Sequence, residues 1–185
     1  MPRVFLFALF TWGLAIAGCK PSQTGETSTP GSMPAGPKHK VSGQVMHTRA
    51  YCGGAAPSEQ LLNSYRTPTP LPSLKLYLRG GRTNIVTRPV IDSTMTDAEG
   101  RFTFNVPNGE YCILTKSRIK PPVAANYDPN TFEIVEDCID EWIVVCDATF
   151  SVADQDVEGL GLQLHKECFK EDFNPCIRYI GPMPP

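Results

Sequence analysis

Thiols are the side chains of this sequence with the clearest capacity for chemistry. The 185 residues include seven cysteines, and the three histidines, His39, His47 and His165, lie far apart in the sequence. No two cysteines have the C-x-x-C spacing of common zinc sites, so the pattern favours disulfides over a metal site. Their spacing leaves the pairing open. The six cysteines that follow residue 50 are Cys52, Cys112, Cys138, Cys146, Cys168 and Cys176.

The seventh cysteine, Cys19, ends an apolar N-terminal stretch. A single positive charge, Arg3, precedes a run of about 15 uncharged residues at positions 4–18, which is shorter than the roughly 20 that a spanning helix needs. The run therefore predicts a secretory signal peptide over residues 1–18. Its end, LAIAGC at residues 14–19, resembles the lipobox of bacterial lipoproteins. That resemblance implies cleavage before Cys19 and lipidation of this cysteine with acyl chains such as palmitate. With Lys20 in the next position, it also implies the outer membrane.

Residues 19–40 are expected to be a lipid-bearing tether and residues 41–185 a single folded domain. Met33 is the only large apolar side chain from residue 20 to residue 40, among many Pro, Gly, Ser and Thr residues. Such a segment cannot bury enough surface to offset its ordering entropy. An exported domain with an even number of cysteines predicts a disulfide framework. The formal net charge of −2 provides no electrostatic argument for nucleic acid as a partner.

The most informative stretch is residues 96–114, in which two turns alternate with two strands. Asp97 and Gly100 favour a tight turn, and Phe102, Phe104 and Val106 then point to one face of a strand. A second turn at residues 107–109 leads into a returning strand. The stretch resembles the T-D-x-x-G-x-[FY]-x-[FL]-x-x-P-x-G-x-Y signature of prealbumin-like sandwiches, which include carboxypeptidase regulatory-like, Cna-B-like and starch-binding-like modules. The resemblance covers residues 41–117 and implies a mainly β, antiparallel sandwich; it does not imply an activity.

Further strands and one helix are expected around this motif. Alternation predicts strands near residues 40–47, 74–78, 84–94, 148–152 and 160–164, with a Gly80-Gly81 hairpin and the last two strands as partners. From Asp128-Pro129 onward, apolar residues recur at three- and four-residue spacing opposite an acidic face. This predicts one added amphipathic helix packed on the sandwich, with Trp142 in its buried stripe. The C-terminal segment is expected to be irregular and held by its disulfides.

Residues 41–185 also resemble, more loosely, a group of uncharacterised Gram-negative lipoproteins. The resemblance is carried by CGGA at residues 52–55, by Tyr111-Cys112, by Cys138 with Trp142, and by NPCIRYIGP at residues 174–182. It implies a fold and a location in the bacterial envelope. The expected site is the outer membrane, on its periplasmic face or at the cell surface.

Motifs for catalysis are missing from the sequence. It contains no nucleophile elbow, no H-E-x-x-H run and no phosphate-binding glycine loop. Asp92, Asp97 and Glu99 are candidate calcium ligands, but the order of an EF-hand loop is absent and a turn explains them. Cys52 beside two glycines fits a reactive thiol, although a half-cystine is favoured. We therefore expect a protein that is not an enzyme and needs no cofactor.

The expected function is a non-enzymatic, lipid-anchored binding module with an envelope protein or a glycan as its partner. The partner would bind through the loop at residues 53–72 or through a face of a sheet. Clustered aromatic residues on an exposed face would favour a glycan, and a flat apolar edge would favour a protein. The long loop at residues 53–72 holds the candidate contacts Leu61, Leu62, Tyr65 and Arg66, because long loops and Tyr and Arg side chains are common in binding sites. In the competing interpretation these residues only cover one end of the sandwich. The alternatives are a structural accessory lipoprotein of an envelope complex and, third, an enzyme or metal-binding protein that uses Cys, His or carboxylates.

Overall fold

The computed structural model describes residues 36–170 and 172–182. The expected signal peptide, Cys19 and most of the tether lie outside these residues. The first strand begins at His39, two residues before the expected start of the domain. The described chain forms β1 (His39–Arg49), α1 (Glu59–Arg66), β2 (Thr69–Pro70), β3 (Lys75–Gly80), β4 (Asp92–Met95), β5 (Arg101–Val106), β6 (Gly109–Leu114), β7 (Phe132–Ile134), α2 (Glu136–Ile143), β8 (Ala148–Val152), β9 (Val157–Lys166) and β10 (Ile177–Tyr179).

β1 lies at the centre of a four-stranded sheet. Antiparallel β5 and β2 follow one another along one edge of β1, and β9 runs parallel to β1 along the other edge. β5 and β9 lie on opposite edges of β1, because both strands pair with the same residues, 41–44, of β1. The parallel pair departs from the expected antiparallel arrangement. It also shows that the predicted pairing of the last two strands is wrong, since β8 pairs with β6.

The second four-stranded sheet has the order β4-β3-β6-β8, and all its pairs are antiparallel. Apolar residues at every second position of both sheets meet between them, which confirms the mainly β sandwich. The largest buried side chains include Tyr111 and Phe104. The core consists of Val41, Val45, Leu76, Leu78, Phe102, Phe104, Val106, Tyr111, Ile113, Phe150, Val152 and Leu162.

The turn before β5 forms as the signature predicts. Gly100 adopts a φ of +72°, a conformation that favours glycine. The Asp97 carboxylate accepts hydrogen bonds from the backbone N–H groups of Glu99 and Arg101, at 3.0 and 2.8 Å. Gly43 is needed for packing instead, because a Cβ at this position would lie 2.6 Å from the Phe102 ring.

The predicted two-glycine hairpin is wrong. Residues 81–91 form an irregular loop, and β4 begins only at Asp92. The loop folds inward because Arg79 and Asn84 are buried, with 3% and 1% of their surface exposed. Both side chains find hydrogen-bond partners there that a tight turn would not supply.

The predicted helix is shorter than expected and starts later. Asp128 closes a turn by accepting from the N–H of Asn130 at 3.0 Å, and the following residues form β7, which pairs with β10. The first apolar residues of the predicted helix therefore belong to a strand. Trp142 is half-buried in α2, which departs from the expected full burial, and the Arg118 guanidinium carbon lies 4.1 Å from its ring centroid.

The six described cysteines form three disulfides, as expected from their even number. Each links segments that are distant in sequence: Cys52 with Cys168, Cys112 with Cys146, and Cys138 with Cys176. The C-terminal segment is held by the first and third bridges and contributes β10, so it is only partly irregular.

Candidate functional site

The predicted loop at residues 53–72 contains a helix, α1, which holds all four candidate contact residues. Ser58 caps the helix, because its hydroxyl accepts from the Leu61 N–H at 3.3 Å. Glu59 in the first turn and Arg66 in the last turn complement the helix dipole. The local sequence therefore favours a helix, although the Pro, Ser and Thr content of the whole segment had predicted a loop.

Tyr65 anchors α1 to the end of the sandwich. Its ring packs edge-on against Tyr51, with the centroids 5.9 Å apart, and the Arg49 guanidinium carbon lies 5.3 Å from the Tyr65 centroid. Edge-to-face and cation–π contacts of this kind each contribute about 0.5–1.5 kcal/mol. Both anchoring residues lie at the C-terminal end of β1 or just after it. The sequence offered no periodicity that would have identified them.

The base under α1 is held by covalent and hydrogen-bonded links. The Cys52–Cys168 disulfide joins the segments that follow β1 and β9. Beside it, the Ala50 N–H donates to the Lys166 carbonyl at 2.9 Å, which extends the β1–β9 pairing. Tyr51 therefore stands on a strand end that two independent links hold in place.

The four candidate residues divide into two pairs by exposure. Leu62 and Tyr65 are half-buried and face the sandwich, whereas Leu61 is 40% exposed and Arg66 is exposed. The structure thus assigns anchoring to one pair and leaves the other facing solvent. We call the exposed residues of this helix the α1 surface; they are Glu59, Gln60, Leu61, Asn63, Ser64 and Arg66.

A groove of about 810 Å³ runs along the outer face of the first sheet. Gly159 and Gly161 of β9 have no side chains on this face, which deepens the groove beside β1. Polar side chains such as Ser42 and Gln44 line its floor. Phe102 is the one aromatic residue among the described lining residues, and only 3% of it is exposed. The groove thus lacks the exposed aromatic surface that would favour a glycan.

Two of the three carboxylates considered for calcium, Asp97 and Glu99, take part in ion pairs. The Asp97 carboxylate lies 2.9 Å from Arg101 Nε, and the Glu99 carboxylate lies 2.8 Å from an Arg101 terminal nitrogen. Hydrogen bonds from Arg101, first from its backbone N–H and then from its side chain, lower the pKa of Asp97. Within residues 36–170 and 172–182, no three His, Cys, Asp or Glu side chains are grouped so that they could hold a metal ion.

Four partly exposed aromatic side chains form a cluster over the small sheet of β7 and β10. Phe169 and Tyr179 lie 4.3 Å apart between centroids, and Phe132 links Tyr179 to Tyr127 through edge-on contacts of 5.7 and 5.8 Å. Phe169 is 36% exposed and has a φ of +59°, a left-handed conformation that is uncommon for a bulky residue. No sequence pattern marks this cluster, because its members come from separate segments.

A buried lysine supports the segment that carries Phe169. The Lys170 ammonium donates to the carbonyls of Asn174 and Ile177, at 2.6 and 2.7 Å. Burial lowers the pKa of Lys170, although Glu167 and Asp172 oppose this shift. The segment that brings Phe169 into the aromatic cluster is therefore held by hydrogen bonds from Lys170.

Neither helix in the described part of the chain is long and apolar enough to cross a bilayer.

No protein-family model matches this sequence, and no curated protein matches it. Among solved structures, the chain is similar to a DUF3823 family protein from Parabacteroides merdae, with 15% identity, a TM-score of 0.34, and coverage of 70% of this chain and 46% of that one. It is also similar to GBS52, the minor pilin of Streptococcus agalactiae, with 8% identity, a TM-score of 0.33, and coverage of 71% and 44%. The Bacillus anthracis TIE protein is also similar, with 13% identity, a TM-score of 0.28, and coverage of 70% of this chain and 17% of that one. The chain spans less than half the length of each of these structures, and similarity at this level does not assign an activity.

Proposed function

We propose that this chain is a non-enzymatic interaction module of the cell envelope that binds a protein partner through the α1 surface. The observation that carries the proposal is that α1 is held at its base although none of its eight described residues is buried. Because the helix adds little to the core, its placement is best explained by what it presents, which is apolar Leu61 on the same short helix as the cation of Arg66. Arg is enriched at binding hot spots, and a preorganised element loses little conformational entropy when it binds a partner.

Three disulfides fit an oxidising, extracytoplasmic compartment. We further propose that a lipid on Cys19 tethers the module to the outer membrane. Cys19→Ala should abolish labelling of the protein with a fatty acid and release it from the membrane fraction. Labelling of equal strength in this variant would contradict the lipid anchor, and it would leave the proposal for the α1 surface intact.

The α1 surface is tested by photo-cross-linking in envelope preparations. A photoreactive residue at position 61 should form an adduct with one protein, identified by mass spectrometry. The double variant Leu61→Ser/Arg66→Glu is expected to reduce the yield of an adduct formed from position 60 by about tenfold. Its melting temperature should fall only slightly, because both side chains face solvent and only the interaction of Arg66 with the helix dipole is lost.

The matched control is Met95→Ser/Lys75→Glu. These two residues are paired across β3 and β4, are exposed, and offer the same combination of an apolar side chain and a cation. The control should leave the adduct intact. Equal loss in both variants, or no adduct from position 61, would contradict binding through α1 and favour a structural accessory role in an envelope complex.

Tyr65 serves as a separate probe of the competing interpretation. Tyr65→Ala removes the contacts with Arg49 and Tyr51, so we expect α1 to become mobile and the adduct to weaken along with local protection from hydrogen exchange. If the surface variant Leu61→Ser/Arg66→Glu lowered the melting temperature as Tyr65→Ala does, α1 would be a cover for the sandwich.

Glycan binding is a second candidate function, and the aromatic cluster is the observation that favours it. Exposed rings such as Phe169 can stack on the apolar faces of sugars, as aromatic side chains do on other flat ligands. Isolated envelope glycans are the probe. Phe169→Ala should abolish their binding, whereas Val123→Ser, an exposed residue at 58%, should not alter it. Equal binding by both variants would leave the cluster as a local core of the small sheet.

A further inference from the structure

A buried polar network joins the loop that follows β3 to the end of α2. Asn84 donates from its side-chain amide to the carbonyls of Arg118 and Ile143, at 2.7 and 2.6 Å. Arg118 in turn donates to the Asp147 carboxylate at 2.6 Å and to the Val145 carbonyl at 2.9 Å. These groups are buried or nearly so, and every one of these bonds crosses between segments that are distant in sequence.

Arg79 completes the network from the side of β3. Its guanidinium donates to Asn84 and to the carbonyls of Val86 and Ile119, the last two at 3.2 Å. Burial lowers the pKa of Arg79. Within the described part of the chain it has no carboxylate partner, so backbone carbonyls hold its charge. The network therefore sets the backbone positions of residues 84–86 and 143–145.

These two backbone segments display four aliphatic side chains to solvent. They are neighbours, because the Asn84 N–H donates to the Val144 carbonyl at 2.9 Å. Buried polar bonds hold these backbone segments while their side chains remain exposed, so neighbouring apolar side chains face solvent together. We call them the aliphatic patch: Ile85, Val86, Val144 and Val145, exposed to 39%, 38%, 45% and 53%.

Exposed cations lie on the loops that contribute to this patch or support it. Residues 79–90, which contribute Ile85 and Val86, and residues 115–122, which support them, contain no Asp or Glu, whereas Val144 and Val145 directly follow α2. The Arg88 N–H donates to the Ile85 carbonyl at 2.9 Å, and the Arg82 carbonyl contacts the sulfur of Cys146, which follows Val145. We call the exposed cations of these segments the cationic rim; they are Arg82, Arg88, Lys116 and Lys120.

α2 of the same chain carries the opposite charge. All four of its acidic side chains are exposed: Glu136, Asp137, Asp140 and Glu141. The helix has no basic residue to neutralise them. Arg82 in the rim is already paired with Glu110 at 3.4 Å, which leaves Arg88, Lys116 and Lys120 as the other exposed cations. The acidic helix is thus opposite in sign to the cations beside an apolar patch, and complementary charges of this kind select partners and orient their encounter.

We propose that two copies of this chain associate by docking α2 of one copy on the aliphatic patch and cationic rim of the other. The complementarity in sign is the reason for a second copy as the occupant. The contact involves few residues and many exposed charges, so the association is weak and sensitive to salt. It goes beyond the proposed function, because it involves neither the α1 surface nor a lipid.

Sedimentation velocity of the purified chain tests the association. A chain that starts at Lys20 retains every residue that the structure describes, with its three disulfides. At about 50 mM salt the average mass should rise from one copy toward two or more as concentration increases from about 10 to about 500 μM, and about 500 mM salt should reverse the rise. A mass of one copy throughout would overturn the proposal.

Charge exchange identifies the surfaces. Arg88→Glu/Lys120→Glu and, separately, Asp140→Lys/Glu141→Lys should each weaken self-association by about tenfold or more, since each opposes like charges. An equimolar mixture of the two variants should associate again, because the exchanged charges match. Failure of the mixture to associate would overturn the assignment even if each variant alone were monomeric.

A control variant carries the same change in net charge elsewhere. Lys38→Glu/Lys75→Glu replaces two exposed cations outside the rim and should associate as the unaltered chain does. Equal weakening in this control would mean that net charge alone governs the effect, which would overturn the proposed interface. Circular dichroism and the melting temperature of every variant establish that each is folded before its mass is interpreted.

Discussion

Replacement of Arg79 by methionine tests the buried network most directly. Methionine preserves much of the volume and removes all the donors. The change leaves Asn84 and the carbonyls of Val86 and Ile119 without the hydrogen bonds that Arg79 donates. With only 3% of Arg79 exposed, water cannot readily replace it.

The magnitude follows from these three acceptors. An unsatisfied buried polar group costs about 1–3 kcal/mol, and removal of a buried cation offsets part of the total because its desolvation is relieved. We expect a net loss of about 3 kcal/mol in the free energy of unfolding, or about 10 °C in melting temperature for a domain of this size.

Urea unfolding followed by circular dichroism measures the loss, and hydrogen exchange locates it. The loop at residues 81–91 and the end of α2 should lose protection before the core strands do. Arg82→Met is the matched control; this arginine is 61% exposed, so its replacement should change stability by less than about 0.5 kcal/mol. An Arg79→Met variant as stable as the unaltered chain would refute the view that the network organises the aliphatic patch.

Three further outcomes are expected. Replacing Cys52 and Cys168 by alanine opens a bridge that spans 116 positions, so the loss in unfolding free energy should be about 5 kcal/mol. For the Cys138–Cys176 bridge, which spans 38 positions, the loss should be about 4 kcal/mol. Chemical denaturation of the two variants checks this order, and the reverse order would contradict it. Trp142→Ala should cost about 1–2 kcal/mol by the same measurement, because its side chain is only partly buried and stacks on Arg118; a loss above about 3 kcal/mol would indicate full burial. The lowered pKa of Asp97 means that its carboxylate stabilises the fold above the ordinary value of 3.8 and that this stability is lost as the pH falls through the lower, folded value. Asp97→Asn should remove this part of the acid dependence, and an unchanged dependence of the urea midpoint on pH would contradict the assignment.

Local patterns were sufficient for the elements whose residues interact with near neighbours. The turn at Asp97 and Gly100, the strand that begins at Arg101 and the return through Tyr111 all follow from turn chemistry and alternation. The presence of disulfides could also be predicted, because it depends only on the number of cysteines and on the compartment. The pairing could not be predicted, because it depends on which segments meet in the folded chain.

The candidate site shows the same division. The sequence identified the segment with Leu61 and Arg66 by its length and residue types. It did not show that Tyr65 faces inward onto Tyr51, because a chain contact across 14 positions of irregular sequence leaves no periodic pattern. The helix after Asp128 was misplaced because apolar residues at three- and four-residue spacing fit both a helix and a short strand followed by one.

Residue types, alternation and turn motifs in the sequence determined that this chain folds as a β-sandwich stapled by disulfides. The tertiary structure decided which side chains are anchors, which are exposed and where charges are buried. Arg79 alternates in β3 as a solvent-facing residue would, yet it is buried because its acceptors lie as far as 40 positions away. Burial of a polar group becomes favourable only when its hydrogen-bond partners converge on it, and that convergence is a property of the folded chain rather than of any local stretch of sequence.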